Sequence, residues 1–243
     1  MPYANGLRRN VKNCLDDFGI PLHLSTTVTR VIGRDRVEAV EVSQVDEHLA
    51  PIPGTERIVP CDTLLLSVGL IPENELSVAA GVELDPHTRG AVVDQSLQTG
   101  VPGIFACGNV LHVHDLADNV TTESERAGAA AAAYALGNGA NVEAGDAGTS
   151  RQLKVSPADI AGYALPGRIT AVTLTKLNFR VRRPVDAARV RILAGDEEMF
   201  AGKVRPFKPS VMESFPLPAK VIQRALDLGV NEIVLSVDPV EEA

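Results

Sequence analysis

The chain has 243 residues, of which 45% are hydrophobic and 22% charged, with 23 Lys and Arg against 31 Asp and Glu and a formal net charge of −8. That apolar content excludes a wholly disordered chain, and the length allows one large domain or two ordinary ones. The longest uncharged apolar runs, at 63–71 and 127–136, are about half of the ~20 residues that a membrane-spanning helix needs. In chain order, Leu7, Val11, Cys14, Leu15 and Phe18 share one helical face, with Gly19 placed as a C-cap. Residues 20–24 restart as a strand. Val28–Ile32 and Val37–Val42 form two β-branched runs split by Gly33-Arg34-Asp35, a hairpin signal. Residues 46–55 read as a loop. Cys61–Gly69 is almost wholly apolar, as a strand covered on both faces is. A short helix is expected over 75–80 and short strands over 91–93 and 103–109. Thr122 and Glu125 have capping-box spacing, which predicts a helix from Thr122 to Leu136. The Gly-, Ala- and Asn-rich stretch 137–150 reads as a linker. Strands are expected over 169–174, 179–182, 189–193, 199–204 and 233–237, with a helix over 221–228. Short strands with proline-rich joints predict a small β-sandwich.

Charge divides the chain in the same place. Nine basic residues face 20 acidic ones up to Thr149, and 14 face 11 from Ser150 onward. An acidic first part argues against nucleic-acid binding. Cys14, Cys61 and Cys107 are far apart and form no Cys-x-x-Cys pair, so neither a disulfide framework nor a structural zinc site is expected. Together with an amino end lacking a basic-then-apolar leader, this points to the cytoplasm.

The segment from Thr99 to Asn109 concentrates the chemistry. A threonine, a turn and an apolar strand lead to Gly108 and Asn109, at the edge where open α/β sheets bind ligands. Gly108 lets backbone approach a ligand, and Asn109 offers a hydrogen bond. The helix start at 120–122 offers free N–H groups and a positive dipole end. His112, His114 and Asp115 follow, with Asp118 close by. Two histidines two apart can share a face and bind a metal. With no third ligand in view, no metal site is expected, a metal protein built on His112 and His114 being the weakest reading, and a histidine here can act as an acid–base group. No catalytic residue is singled out. Cys107, between Ala106 and Gly108, reads as a small buried residue. In the second part, Arg180 and Arg182 alternate with Phe179 and Val181, and Arg189 and Arg191 with Val190 and Ile192, so the arginines share a sheet face. That face is either solvated or a docking surface for an acidic partner.

The run Thr99–Asn109 resembles the second flavin-binding motif of the pyridine nucleotide-disulfide oxidoreductase family, the two-dinucleotide-domain flavoproteins related to thioredoxin reductase. Cys61–Pro72 is similar to the strand that returns from that family's NAD(P)-binding insert to its FAD domain. The resemblance covers about residues 7–136. It implies an α/β fold, a partial two-dinucleotide-binding-domain flavoprotein followed by the β-sandwich. Residues 1–70 would be the remnant of the NAD(P)-binding insert, 71–140 the carboxyl-terminal lobe of the FAD-binding domain, and 150–243 the sandwich.

The implied cofactors are FAD and NAD(P), with electrons passing between a nicotinamide and the flavin. Gly108, Asn109 and Val110 would hold the ribityl chain, and Val120, Thr121 and Thr122 the ring. Asn109 stands where many members carry an aspartate. The glycine-rich Gly-x-Gly-x-x-Gly turns that cradle the pyrophosphates are missing, and Gly137–Val142 follows a helix instead of a strand. The redox Cys-x-x-Cys is missing too. The chain is therefore expected to be the carboxyl-terminal piece of a longer flavoprotein, inactive by itself. Its partners would be the missing amino-terminal half, a partner subunit or a second copy of the chain. The alternative is a non-catalytic assembly module that docks a partner subunit through its β-sandwich.

Overall fold

A computed structural model of the chain describes residues 1–4, 6, 8–137 and 152–240. The stretch read as a linker lies almost wholly outside the described residues. The chain divides into two units, Met1–Gly69 and Leu70–Ala243.

In the first unit, helix α1 (Arg8–Cys14) runs into a 3-10 turn over Asp16–Phe18. Gly19 closes it in the left-handed region at φ +63, its N–H on the Asp16 carbonyl. No strand forms over 20–24. Strands β1 (Thr26–Ile32), β2 (Ala39–Gln44) and β3 (Arg57–Pro60) make an antiparallel sheet in that order. Ala39, Val40, Ser43 and Val45 are its buried residues. The expected buried strand over 61–69 is absent: Leu65 and Val68 are both 89% exposed. An apolar run becomes a strand only when a neighbour completes its hydrogen bonds, and nothing among the described residues does so here.

The second unit opens with α2 (Glu75–Ala79). Residues 84–105 form isolated bridges instead of strands: Leu84 with Ala91, Val93 with Thr99, and Gln98 with Phe105. Asp94 shapes this stretch, its Oδ1 accepting the N–H groups of Ser96 and Gln98. Helix α3 (Ala117–Ala135) follows. The rest is β4 (Leu153–Asp159), β5 (Ala161–Leu165), β6 (Arg168–Ile169), β7 (Thr175–Val181), β8 (Val185–Ala194), β9 (Glu197–Ala201), β10 (Arg205–Phe207), β11 (Glu213–Leu217), α4 (Ala219–Asp227) and β12 (Glu232–Pro239). One sheet runs β10-β8-β12-β4-β6, with β9 also on β8; the other runs β11-β7-β5. The first is mixed, because β12 lies parallel to β4. Phe179, Ile192, Phe207, Leu217, Ile222 and Leu235, drawn from both sheets and α4, share one core.

A second cluster joins the two halves of this unit. Val93, Leu97, Leu111 and Ala127 pack with Tyr163 and Leu165 of β5. The contact is reinforced by Arg168 N–H on the Val93 carbonyl at 3.2 Å and by Gln95 Nε2 donating to Thr170 Oγ1 at 3.0 Å. This junction brings the carboxyl-terminal strands against the segment from Gly108 to His114.

Candidate functional site

Gly108–Val110 forms one turn of 3-10 helix, entered from Cys107 in extended conformation. Gly108 is buried with φ +72, a conformation that favours glycine. A Cβ there would sit 3.4 Å from a methyl group of Val120, so Gly108 and Val120 are neighbours. The Gly108 N–H donates to Glu123 Oε1 at 2.7 Å. Asn109 and Val110 are exposed. Asn109 Oδ1 accepts the His114 N–H at 3.1 Å, while its Nδ2 has no acceptor among the described residues. Cys107 packs half-buried against the second cluster.

The helix after the turn begins earlier than its sequence suggests. α3 starts at Ala117, so Thr122 lies inside it and makes no capping box with Glu125. The hydroxyls of Thr121 and Thr122 donate back to the carbonyls of Ala117 and Asp118, at 3.2 and 3.0 Å. The N–H groups at 120–122 belong to the helical ladder. The open donors lie in the first turn, after Leu116, which is extended and supplies no capping side chain.

The early start turns Glu123 inward. Its side chain is 4% exposed and bridges two imidazoles: His112 Nε2 lies 2.9 Å from Oε2, and His114 Nε2 lies 3.1 Å from Oε1. The two rings lie against each other with centroids 4.3 Å apart and planes tilted by 56°. His112 Nδ1 meets the Tyr163 hydroxyl of β5 at 3.1 Å. An ionised Glu123 accepts only, so each Nε2 carries a proton and donates to it. His112 Nδ1 and the Tyr163 hydroxyl share the remaining hydrogen bond of that ring. His114 Nδ1 is buried without a partner.

Burial pushes the Glu123 carboxyl up, but the hydrogen bond and charge of His112 and the Gly108 N–H together hold it below its ordinary value. Burial, then His112, lowers the His114 imidazole below 6.5. Burial raises the Tyr163 phenol to about 12. The Glu123 and His114 shifts act in one direction, favouring an ionised Glu123 and a neutral His114. Beside the cluster, Arg180 of β7 ties the halves together. It donates to the carbonyls of Val113 and Pro209 at 3.0 and 3.1 Å and pairs with Asp115. Asp115 also accepts the Met212 N–H.

Sequence reasoning missed Glu123 and Tyr163. Glu123 is the third group that the two histidines lacked. The three side chains bring ligand-type atoms within 4.8 Å of one another, a set able to hold a divalent cation. Their mutual hydrogen bonds already satisfy the carboxylate without one. The helical phase counted from Ala117, with Glu123 and Ala127 both buried four residues apart, was the signal available.

The turn offers a glycine-bent backbone and an exposed amide with a free donor, and the helix that follows begins uncapped. A pH test of the cluster follows. His114 and Glu123 both have folded values below their ordinary ones, so the fold favours the neutral imidazole and the ionised carboxylate. That stability is fully present above about pH 6.5 and is lost as pH falls through the lowered folded values. Thermal melts are expected to be level above neutrality and to fall on acidification. A His114→Gln variant should lose the upper part of that fall; an unchanged profile in this variant would contradict the assignment.

A family model described as pyridine nucleotide-disulphide oxidoreductase matches residues 2–135. The chain is 32% identical over 111 residues to a probable ferredoxin reductase of Castellaniella defragrans, covering 45% of this chain and 23% of that protein. It is 33% identical over 116 residues to the mitochondrial dihydrolipoyl dehydrogenase of Caenorhabditis elegans, covering 47% and 22%. Over 87 residues it is 31% identical to a thioredoxin reductase of Listeria innocua, covering 35% and 25%. The chain thus spans about a quarter of the length of these relatives.

Proposed function

The chain belongs to the pyridine nucleotide-disulphide oxidoreductase family, and we propose that it is part of an FAD-dependent enzyme that passes electrons between NAD(P)H and a flavin. The observation that carries this reading is the bend at Gly108 and Asn109, a left-handed glycine beside an exposed amide whose NH2 donor is free, and an uncapped helix end. Bound FAD would supply the two-electron chemistry. Gly108, Asn109 and Val110 would approach the ribityl chain. Val120, Thr121 and Thr122 would meet the ring through their side chains, because their N–H groups are used within α3; the backbone donors would come from its first turn. Glu123, His112 and His114 sit directly behind the bend and would hold protons there. Glu123 fixes the Gly108 N–H and keeps both Nε2 protons in place, and Tyr163 orients the His112 ring.

In this reading residues 1–70 derive from the NAD(P)-binding insert, 71–140 from the FAD-binding lobe, and the strands from 150 onward form an appended β-sandwich domain. The sequence holds no Gly-x-Gly-x-x-Gly turn for either pyrophosphate, so a partner polypeptide or an amino-terminal half would supply those cradles. Purified alone, the chain is expected to be colourless. Co-expressed with the reading frame immediately upstream, it should copurify with stoichiometric flavin and oxidise NAD(P)H with an artificial acceptor. Asn109→Ala should lower the flavin occupancy. A stable complex that is colourless and does not oxidise NAD(P)H would overturn this reading and favour a docking module.

A further inference from the structure

Beside the histidine cluster lies a cavity of about 690 Å³, whose wall includes Arg89, Arg180, Arg182, His112 and Tyr163, with Leu70 and Ile71 among its apolar residues. No carboxylate contributes to this wall among the described residues. We infer that the cavity binds a small oxyanion, a carboxylate or phosphate group, held by Arg89 and Arg182. If the oxidoreductase reading holds, on which this extension rests, the anion is the charged end of the substrate.

The three arginines differ in what they already do. Arg180 is committed to Asp115 and to two carbonyls, so it serves as a fixed part of the wall. Arg89 and Arg182 have no hydrogen-bond acceptor and no carboxylate partner among the described residues. A guanidinium presents a planar fork of donors that matches a carboxylate or phosphate. The Arg89 and Arg182 side chains are both exposed, so they are open to an incoming anion, with Leu70 and Ile71 as apolar neighbours on the wall.

Arg89 is also held in place at a cost. It has φ +60, a backbone conformation disfavoured for any residue with a Cβ. The turn is pinned around it. Asp85 Oδ1 accepts the N–H groups of His87 and Thr88 at 2.8 and 2.9 Å, and the Arg89 carbonyl accepts Asn74 Nδ2 at 3.0 Å. Glycine would make the same turn without strain, and the fold gives the long cationic side chain no partner. Strain retained at such a position is a mark of function. Arg182 lies across Gly162: a Cβ at Gly162 would stand 3.6 Å from the Arg182 Cγ and 3.2 Å from the Arg180 carbonyl oxygen, so the bare glycine leaves its stem room.

The test is calorimetric titration of the full chain with succinate and, separately, with inorganic phosphate, at constant ionic strength. Saturable one-site binding of at least one anion is expected. The Arg89→Gln, Arg182→Gln double variant should bind about tenfold more weakly or worse. Arg89→Gly should also bind more weakly while melting at the same or a higher temperature, which separates the side chain's role from that of the turn. Tighter succinate binding identifies a carboxylate ligand, and tighter phosphate binding a phosphate ester. Non-saturable heats with both anions, or unchanged affinity in the folded double variant, would overturn the inference. Flavin content of the assembled protein is read independently: anion binding without flavin keeps this site and removes the oxidoreductase reading, and flavin without anion binding does the reverse.

Discussion

Replacing Glu123 with alanine is expected to lower the unfolding free energy by about 3–5 kcal/mol, the cost of removing one partner from a buried charged network. The size follows from what is left behind. The Gly108 N–H and the Nε2 protons of His112 and His114 all lose their acceptor at a place with almost no access to water. Unmatched buried donors cost more than the hydrogen bonds were worth. Glu123→Gln should be milder, because the amide oxygen keeps one or two of the three bonds. Urea unfolding of both variants checks this. A loss below about 1 kcal/mol for alanine would mean that the site reorganises freely.

Gly90→Ala should be of similar severity, at about 3 kcal/mol or more, at the upper end of overpacking costs. A methyl group there would lie 1.7 Å from the Leu111 carbonyl oxygen and 2.8 Å from its Cα. Leu111 is fully buried directly after the 108–110 turn and cannot retreat. The 85–90 turn would have to lift away, which would also strain the Asn74 amide that bridges the carbonyls of Arg89 and Val110 at 3.0 and 2.8 Å. The variant should therefore lose stability and anion affinity together. Retention of wild-type stability would show that this approach is looser than the structure indicates.

Features set by local physics were the ones legible in the sequence. The hairpin at Gly33, the short helix over 75–79 and the alternation in β8 follow from turn chemistry and period. In β8, Ala188, Val190, Ile192 and Ala194 are buried while Arg189 and Arg191 are not. The arginine face has partners of its own: Arg191 pairs with Glu198 and Asp238, and Arg180 reaches Asp115 in the acidic first part. Features set by distant partners were not legible. The run over 61–69 has a strand's composition and no strand beside it. Residues 213–217, where no strand was expected, form β11, an edge strand, where Pro216 needs to donate no hydrogen bond on its outer side.

The site divides in the same way. Gly108, Asn109 and the two histidines announced themselves by residue type. Glu123 was hidden by a helix whose start carries no capping residue, since Leu116 and Ala117 send no signal. Tyr163 was hidden because it arrives from a strand 51 residues after His112. A carboxylate so placed ties two histidines into one buried hydrogen-bonded cluster behind the bend.

The most direct measurement is a crystal structure of the flavin-containing assembly. The account predicts the ribityl chain within hydrogen-bonding distance of Asn109, with the isoalloxazine ring facing the first turn of α3. A flavin bound elsewhere, with Gly108 and Asn109 covered by protein side chains, would contradict it.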